Sequence, residues 1–126
     1  TLPMLVERTV CHPYVMENHD RVALKRGPLV YCVEQIDNPE FDVWALVLPP
    51  NSRLEARWDP AVLNGVVVIS GEAYAVDMKH GRELYRVEDR SHIEMHKVRF
   101  TAIPYFAWAN RNQGSMTVWI RSLISA

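Results

Sequence analysis

The chain has 126 residues, enough for one domain to bury a core without disulfides or metal. Hydrophobic residues make up 48% and charged residues 23%, the balance of a folded globular protein and outside the disordered class. A formal net charge of -1, with acids and bases interspersed, excludes the basic footprint of a nucleic-acid binder and a polybasic membrane patch, and no apolar run approaches the ~20 residues a helix needs to cross a bilayer.

The opening Leu2-Pro3-Met4-Leu5 carries no signal-peptide pattern and reads as the continuation of a longer polypeptide. The expectation is therefore one excised domain over residues 1–126, with any targeting signal upstream and the cytoplasm as the default compartment. Met4 to Val10 has strand composition and stops at Cys11-His12-Pro13. Tyr14 to Met16 suggests a short edge segment, and Glu17-Asn18-His19-Asp20 a polar turn. Cys11 and Cys32 both sit in strand-like apolar surroundings and read as reduced core residues.

Arg21 to Asn38 contains two extended segments, Val22–Arg26 and Leu29–Glu34, joined at Gly27-Pro28, where proline fixes φ and removes a donor. Alternation puts Val22 and Leu24 on one face of the first, and Leu29, Tyr31 and Val33 on one face of the second. Val43 to Leu48 is apolar on both faces, as in a covered central strand, and Pro49-Pro50 ends it. In Arg53 to Trp58, Leu54, Ala56 and Trp58 oppose Arg53, Glu55 and Arg57, a strand with one wet face. Asp59-Pro60 through Gly65 has the grammar of a single helical turn: cap, first-position proline, left-handed stop.

Val66 to Ile69 is a β-branched run, Ser70-Gly71 suggests a bulge or corner, and Ala73 to Val76 continues extended. Asp77 to Arg82 reads as a loop, Leu84 to Val87 as a strand, and Glu88 to Ser91 as a solvated loop. Glu94 to Ile103 is a long half-buried strand, with Val98, Phe100 and Ala102 opposite Lys97, Arg99 and Thr101. An aromatic loop from Pro104 to Gly114 follows, and Met116, Val118 and Ile120 form the inward face of a last strand. Many short strands, closely spaced turn signals and at most one short helical turn predict an all-β fold, an antiparallel β-sandwich of jelly-roll type, with barrel closure the alternative.

Three groupings could carry chemistry. His92, Glu94 and His96 share one face of a strand at i, i+2, i+4 and could hold zinc, but a solvent-facing polar stripe is the preferred reading. Glu34, Asp37, Glu40 and Asp42 could bind calcium or act as glycosidase acids, yet they lack the glycine and ligand alternation of a calcium loop and read as a solvated turn. Tyr105, Phe106 and Trp108, with Asn110 and Arg111, could stack and hydrogen-bond a sugar, or pack on a neighbouring strand or domain; the domain interface is preferred. No nucleophile-elbow, P-loop or dinucleotide fingerprint occurs. The expected catalytic and metal residues in this chain are therefore none.

Two blocks carry a resemblance: Arg21-Val-Ala-Leu-Lys-Arg-Gly-Pro-Leu-Val-Tyr-Cys-Val-Glu34 with Asp37-Asn38, and Ile103-Pro-Tyr-Phe-Ala-Trp-Ala-Asn-Arg111 with Met116-x-Val118-Trp119-Ile120. Together they resemble the C-terminal part of glycoside hydrolase family 127, a former domain-of-unknown-function family that contains β-L-arabinofuranosidases. The resemblance implies a β-sandwich following a catalytic barrel of paired α-helices in a bacterial-type enzyme. In that family the zinc-bound cysteine nucleophile, its glutamate partner and the sugar-binding histidines belong to the barrel. None maps here, and Cys11 and Cys32 do not match the adjacent-cysteine zinc motif. Zinc is thus implied only for the missing catalytic domain. The implied role is an accessory domain that packs on and stabilises the barrel of the same polypeptide. A carbohydrate-binding module using Trp108, or a homodimerisation domain, is the alternative.

Overall fold

The computed structural model describes residues 4–11, 20–78, 93–108 and 114–122. Its strands are β1 (Val6–Val10), β2 (Arg21–Arg26), β3 (Leu29–Glu34), β4 (Leu46–Val47), β5 (Leu54–Asp59), β6 (Val66–Met78), β7 (Ile93–Pro104), β8 (Met116–Thr117) and β9 (Ile120–Arg121). They form one mixed, mostly antiparallel sheet, with short 3-10 turns at Gln35–Asp37, Val43–Ala45 and Tyr105–Ala107 as the helical elements among the described residues. The expected all-β class is the class observed. The segments expected at Tyr14–Met16 and Leu84–Val87 lie outside the described residues.

Pairing runs β2 to β9, β4, β6, β7 and β3, and β3 pairs back onto β2, so these strands form a closed circuit. β4 and β9 are the parallel pair, through Val47 and Arg121. β1 and β8 extend the circuit from β2 and β3, while β5 shares with β4 one edge of the long β6.

Side-chain parity then sorts two cores. Val22, Leu24, Tyr31, Val33, Leu46, Ile69, Ala73, Ala75, Phe100, Ala102 and Ile120 turn into the circuit, joined by Phe41, Val43 and Leu48. Cys32, Val66, Val68 and Ile103 have the opposite parity and form a second cluster on the outside, covered by Val62, Ala107, Met116 and Val118. This second cluster explains why β3 and the start of β6 carry apolar residues at consecutive positions. Cys32 is buried within it, Cys11 is half-buried, and no disulfide joins them.

The β2–β3 connection is a two-residue hairpin, with Arg26 opposite Leu29. Gly27 takes φ +59° at its first central position, which two-residue turns demand and a side chain resists. Where β3 leaves β7, the polar residues take over. Asn38, 3% exposed, donates from Nδ2 to the Thr101 carbonyl (3.0 Å) and the Glu34 carbonyl (2.8 Å), and its Oδ1 accepts from the Thr101 N–H (2.8 Å). A side-chain amide thus takes the place of a strand backbone and extends the β7 ladder. Gln35 holds the same loop from inside, its Nε2 donating to the Asn38 and Phe41 carbonyls and its Oε1 accepting from Val43 N.

Several local expectations change. Val43–Ala45 is a 3-10 turn because Asp42 Oδ1 accepts from Trp44 N (2.9 Å) and Gln35 accepts from Val43 N, diverting both donors from a ladder; only Leu46–Val47 pair. Asp59 to Gly65 is a hairpin loop in place of a helical turn. Asp59 Oδ1 does accept from Ala61 N, but Leu63, Asn64 and Gly65 all have positive φ, which returns the chain to pair Val66 with Asp59. Ala56 and Trp58 are exposed because β5 is covered on neither face there, and the Trp58 indole lies over Gly65. Ser70-Gly71 makes no bulge: β6 pairs in unbroken register with β7. The glycine is there for space, since a Cβ at residue 71 would sit 2.8 Å from the Arg53 carbonyl oxygen. The last expected strand is broken at Val118-Trp119, which sends Met116 and Val118 to the outer cluster and Ile120 to the inner one.

Candidate functional site

β7 ends at Pro104, whose extended backbone opens the Tyr105–Ala107 turn, and Trp108 N closes it on the Tyr105 carbonyl (3.0 Å). Ala107 is fully buried beside Cys32, Val62 and Ile103 and anchors the turn to the outer core. The anchored turn projects the neighbouring rings outward: Tyr105 is 47% exposed, Phe106 63% and Trp108 38%. Tyr105 and Trp108 stack with ring centroids 6.0 Å apart and planes 29° from parallel. Burial of such rings would remove much apolar surface from water at about 25 cal/mol per Å². Of the expected grouping, Tyr105 and Trp108 are in ring contact and Phe106 is exposed in the same turn, whereas Asn110 and Arg111 lie outside the described residues.

The other groupings are placed differently. Glu34 is buried, Asp42 caps the Val43–Ala45 turn, and Glu40 is exposed, so these carboxylates do not converge. His92 lies outside the described residues, and His96 is exposed on β7 opposite Ala75. On the outer face of β5, β6 and β7 an open groove of about 510 Å³ runs past Arg53, Glu55, Glu72, Lys97 and Arg99. Its charges pair across strands, Lys97 with Glu72 (3.9 Å) and Arg99 with Glu55 (3.6 Å), and such exposed pairs add little stability.

Among the described residues no three His, Cys, Asp or Glu side chains are grouped to hold a metal ion. Zinc does not fit here: Cys32 is sealed in an apolar cluster and Cys11 stands on the far side of β2 in the strand order. Two polar anchors are structural. Arg8 donates from Nη1 to the Pro49 and Pro50 carbonyls and from Nη2 to the Leu48 carbonyl and Ser122 Oγ, tying β1 to the exit of β4. Tyr31 Oη donates to the Val67 carbonyl (2.7 Å), and burial raises its pKa above 10.0 against the opposing pull of Arg26.

The fold is that of an all-β domain, with short 3-10 turns as its helical elements among the described residues. The model of the glycoside hydrolase family 127 C-terminal domain matches residues 6–121, and the chain belongs to that family. It is 33% identical to the non-reducing end β-L-arabinofuranosidase of Bifidobacterium longum subsp. longum, over 95% of this chain and 18% of that enzyme. A GH127 β-L-arabinofuranosidase from Geobacillus stearothermophilus T6 superimposes with a TM-score of 0.84 at 47% identity, over 96% of this chain and 19% of that one. A second GH127 β-arabinofuranosidase structure gives 0.80 at 32% identity, over 94% of this chain and 17% of that one. The chain therefore spans less than a fifth of the length of these relatives.

Proposed function

We propose that this chain is an accessory, non-catalytic β domain of a glycoside hydrolase acting on L-arabinofuranosides or related glycans, and that it packs on and stabilises an α-helical catalytic barrel of the same polypeptide. The observation that carries the reading is the aromatic turn. Three rings are held outward by a buried alanine in a chain that matches less than a fifth of β-L-arabinofuranosidase relatives. Exposed aromatic rings close together are the composition of an interface core. The rest of such an enzyme supplies the nucleophile and any zinc. Incubating this chain with a β-L-arabinofuranoside and zinc is expected to release no arabinose, and zinc-dependent hydrolysis by it would overturn the reading.

The near-parallel, exposed Tyr105 and Trp108 rings also favour a second reading, in which the turn is a glycan platform. Titration with arabino-oligosaccharides separates the two. Saturable tryptophan quenching that is lost in Trp108→Ala supports the platform, and a flat titration supports the interface.

A further inference from the structure

A second aromatic site lies away from the Tyr105–Trp108 turn, where β9 meets β2 and the Val43–Ala45 turn. Trp44 and Trp119 line a cleft of about 250 Å³ there, together with Arg21, Arg121, Thr117, Val43, Leu46 and Ile120. That volume lies below the roughly 300–1,000 Å³ of sites for drug-sized ligands and suits one sugar ring.

The charges are unusual. Arg21 and Arg121 are direct partners across the antiparallel β2–β9 ladder, so their side chains leave the sheet on the same face. The adjacent pair, Val22 and Ile120, turns into the core, which puts both arginines on the outside. Like charges set opposite each other destabilise a sheet, and among the described residues no acidic side chain lines this cleft. Among the described residues no ion pair or side-chain hydrogen bond engages either guanidinium. Asp42, next to the cleft in sequence, turns its carboxylate to the Trp44 amide at 2.9 Å.

One aromatic wall and the backbone of the other are held by hydrogen bonds. Trp44 Nε1 donates to the Met116 carbonyl (3.2 Å), and Thr117 Oγ1 donates to the Trp119 carbonyl (2.9 Å), holding the bend between β8 and β9. An anchored indole such as that of Trp44 buries sugar C–H surface at little ordering cost, and a guanidinium pair holds a carboxylate by charge-assisted, bidentate bonds.

We propose that this cleft is a subsite for an anionic sugar residue, a uronate whose carboxylate bridges Arg21 and Arg121 while Trp44 and Trp119 enclose the ring. The ligand carboxylate supplies a counter-charge that the lining side chains of the cleft do not. The site is independent of the aromatic turn and of the accessory role.

Calorimetric titration of the protein with methyl galacturonoside, with methyl galactoside and sodium acetate as controls, tests it. Saturable uronate binding is expected, at least about tenfold tighter than either control, and weakened at least about tenfold in both Arg21→Gln and Arg121→Gln. Thermal unfolding supplies the second readout. Without ligand, Arg121→Gln is expected to be no less stable than the parent, because it removes a like-charge pair, and uronate should raise the Tm of the parent only. Absence of saturable binding at millimolar uronate, equal binding of acetate, or affinity unchanged in both arginine variants would overturn the proposal.

Discussion

Removing the Asn38 side chain tests how the circuit closes between β3 and β7. In Asn38→Ala the Thr101 N–H, the Thr101 carbonyl and the Glu34 carbonyl lose their side-chain partner at once. Each unsatisfied buried group costs about 1–3 kcal/mol, but Thr101 is only half-buried, and water reaching it reduces the sum to about 3 kcal/mol. For a chain of this size about 3–5 °C in Tm accompanies each kcal/mol, so the expected fall is about 10 °C. Urea and thermal melts followed by circular dichroism measure the loss, and hydrogen exchange at the Thr101 amide locates it. Asn38→Asp sharpens the test, because a carboxylate keeps the acceptor for Thr101 N–H but faces two carbonyl oxygens. Protonation restores one donor, so this variant should gain stability relative to the parent as pH falls towards about 4, the unfolded carboxyl value, where the gain is complete. A loss below about 1 kcal/mol with Thr101 protection unchanged would refute the reasoning.

Three further outcomes follow from named contacts. Gly71→Ala is expected to cost about 2 kcal/mol in a urea melt, because its Cβ meets the Arg53 carbonyl at 2.8 Å, whereas Gly114→Ala, whose nearest neighbour is Gln35 Cβ at 3.9 Å, should be close to neutral. Burial raises the Tyr31 pKa in the folded chain, so its contribution is complete below the unfolded value near 10 and is lost as pH rises through the higher folded value. The alkaline fall in stability should accordingly be shallower in Tyr31→Phe. Arg8→Lys should lose about as much stability as Arg8→Ala, about 1–3 kcal/mol, since an ammonium cannot reproduce a fork that reaches three carbonyls and a hydroxyl. Full rescue by lysine in a thermal melt would contradict that geometry.

The parts of the fold legible in the sequence are those where one strand face differs from the other. Val22, Leu24, Tyr31 and Val33 alternate against the circuit's outside, and Val98, Phe100 and Ala102 against Lys97, Arg99 and Thr101; these faces are where alternation put them. Period-two patterning fails at Val43 to Leu48 because the run is apolar throughout, and only the side-chain bonds from Gln35 and Asp42 make its first half a turn. Asn38 reads locally as a turn residue, while its partner Thr101 is 63 residues away. The Arg21–Arg121 pairing is likewise invisible until β9 is registered on β2, so the cleft between Trp44 and Trp119 carries no local signal. Tyr105, Phe106 and Trp108 stand within four residues in the sequence, and the structure adds that the three rings are exposed and that Tyr105 stacks on Trp108.

Thermal unfolding of a longer polypeptide that joins this chain to the proposed catalytic barrel, carrying Phe106→Ala and Trp108→Ala, bears most directly on the proposed accessory role. If the turn packs on the catalytic barrel, the double variant should lose about 3–6 kcal/mol of contact, with the barrel melting earlier while kcat on a small β-L-arabinofuranoside at 25 °C is preserved. An unchanged barrel melt, with binding of arabino-oligosaccharides lost, would contradict it.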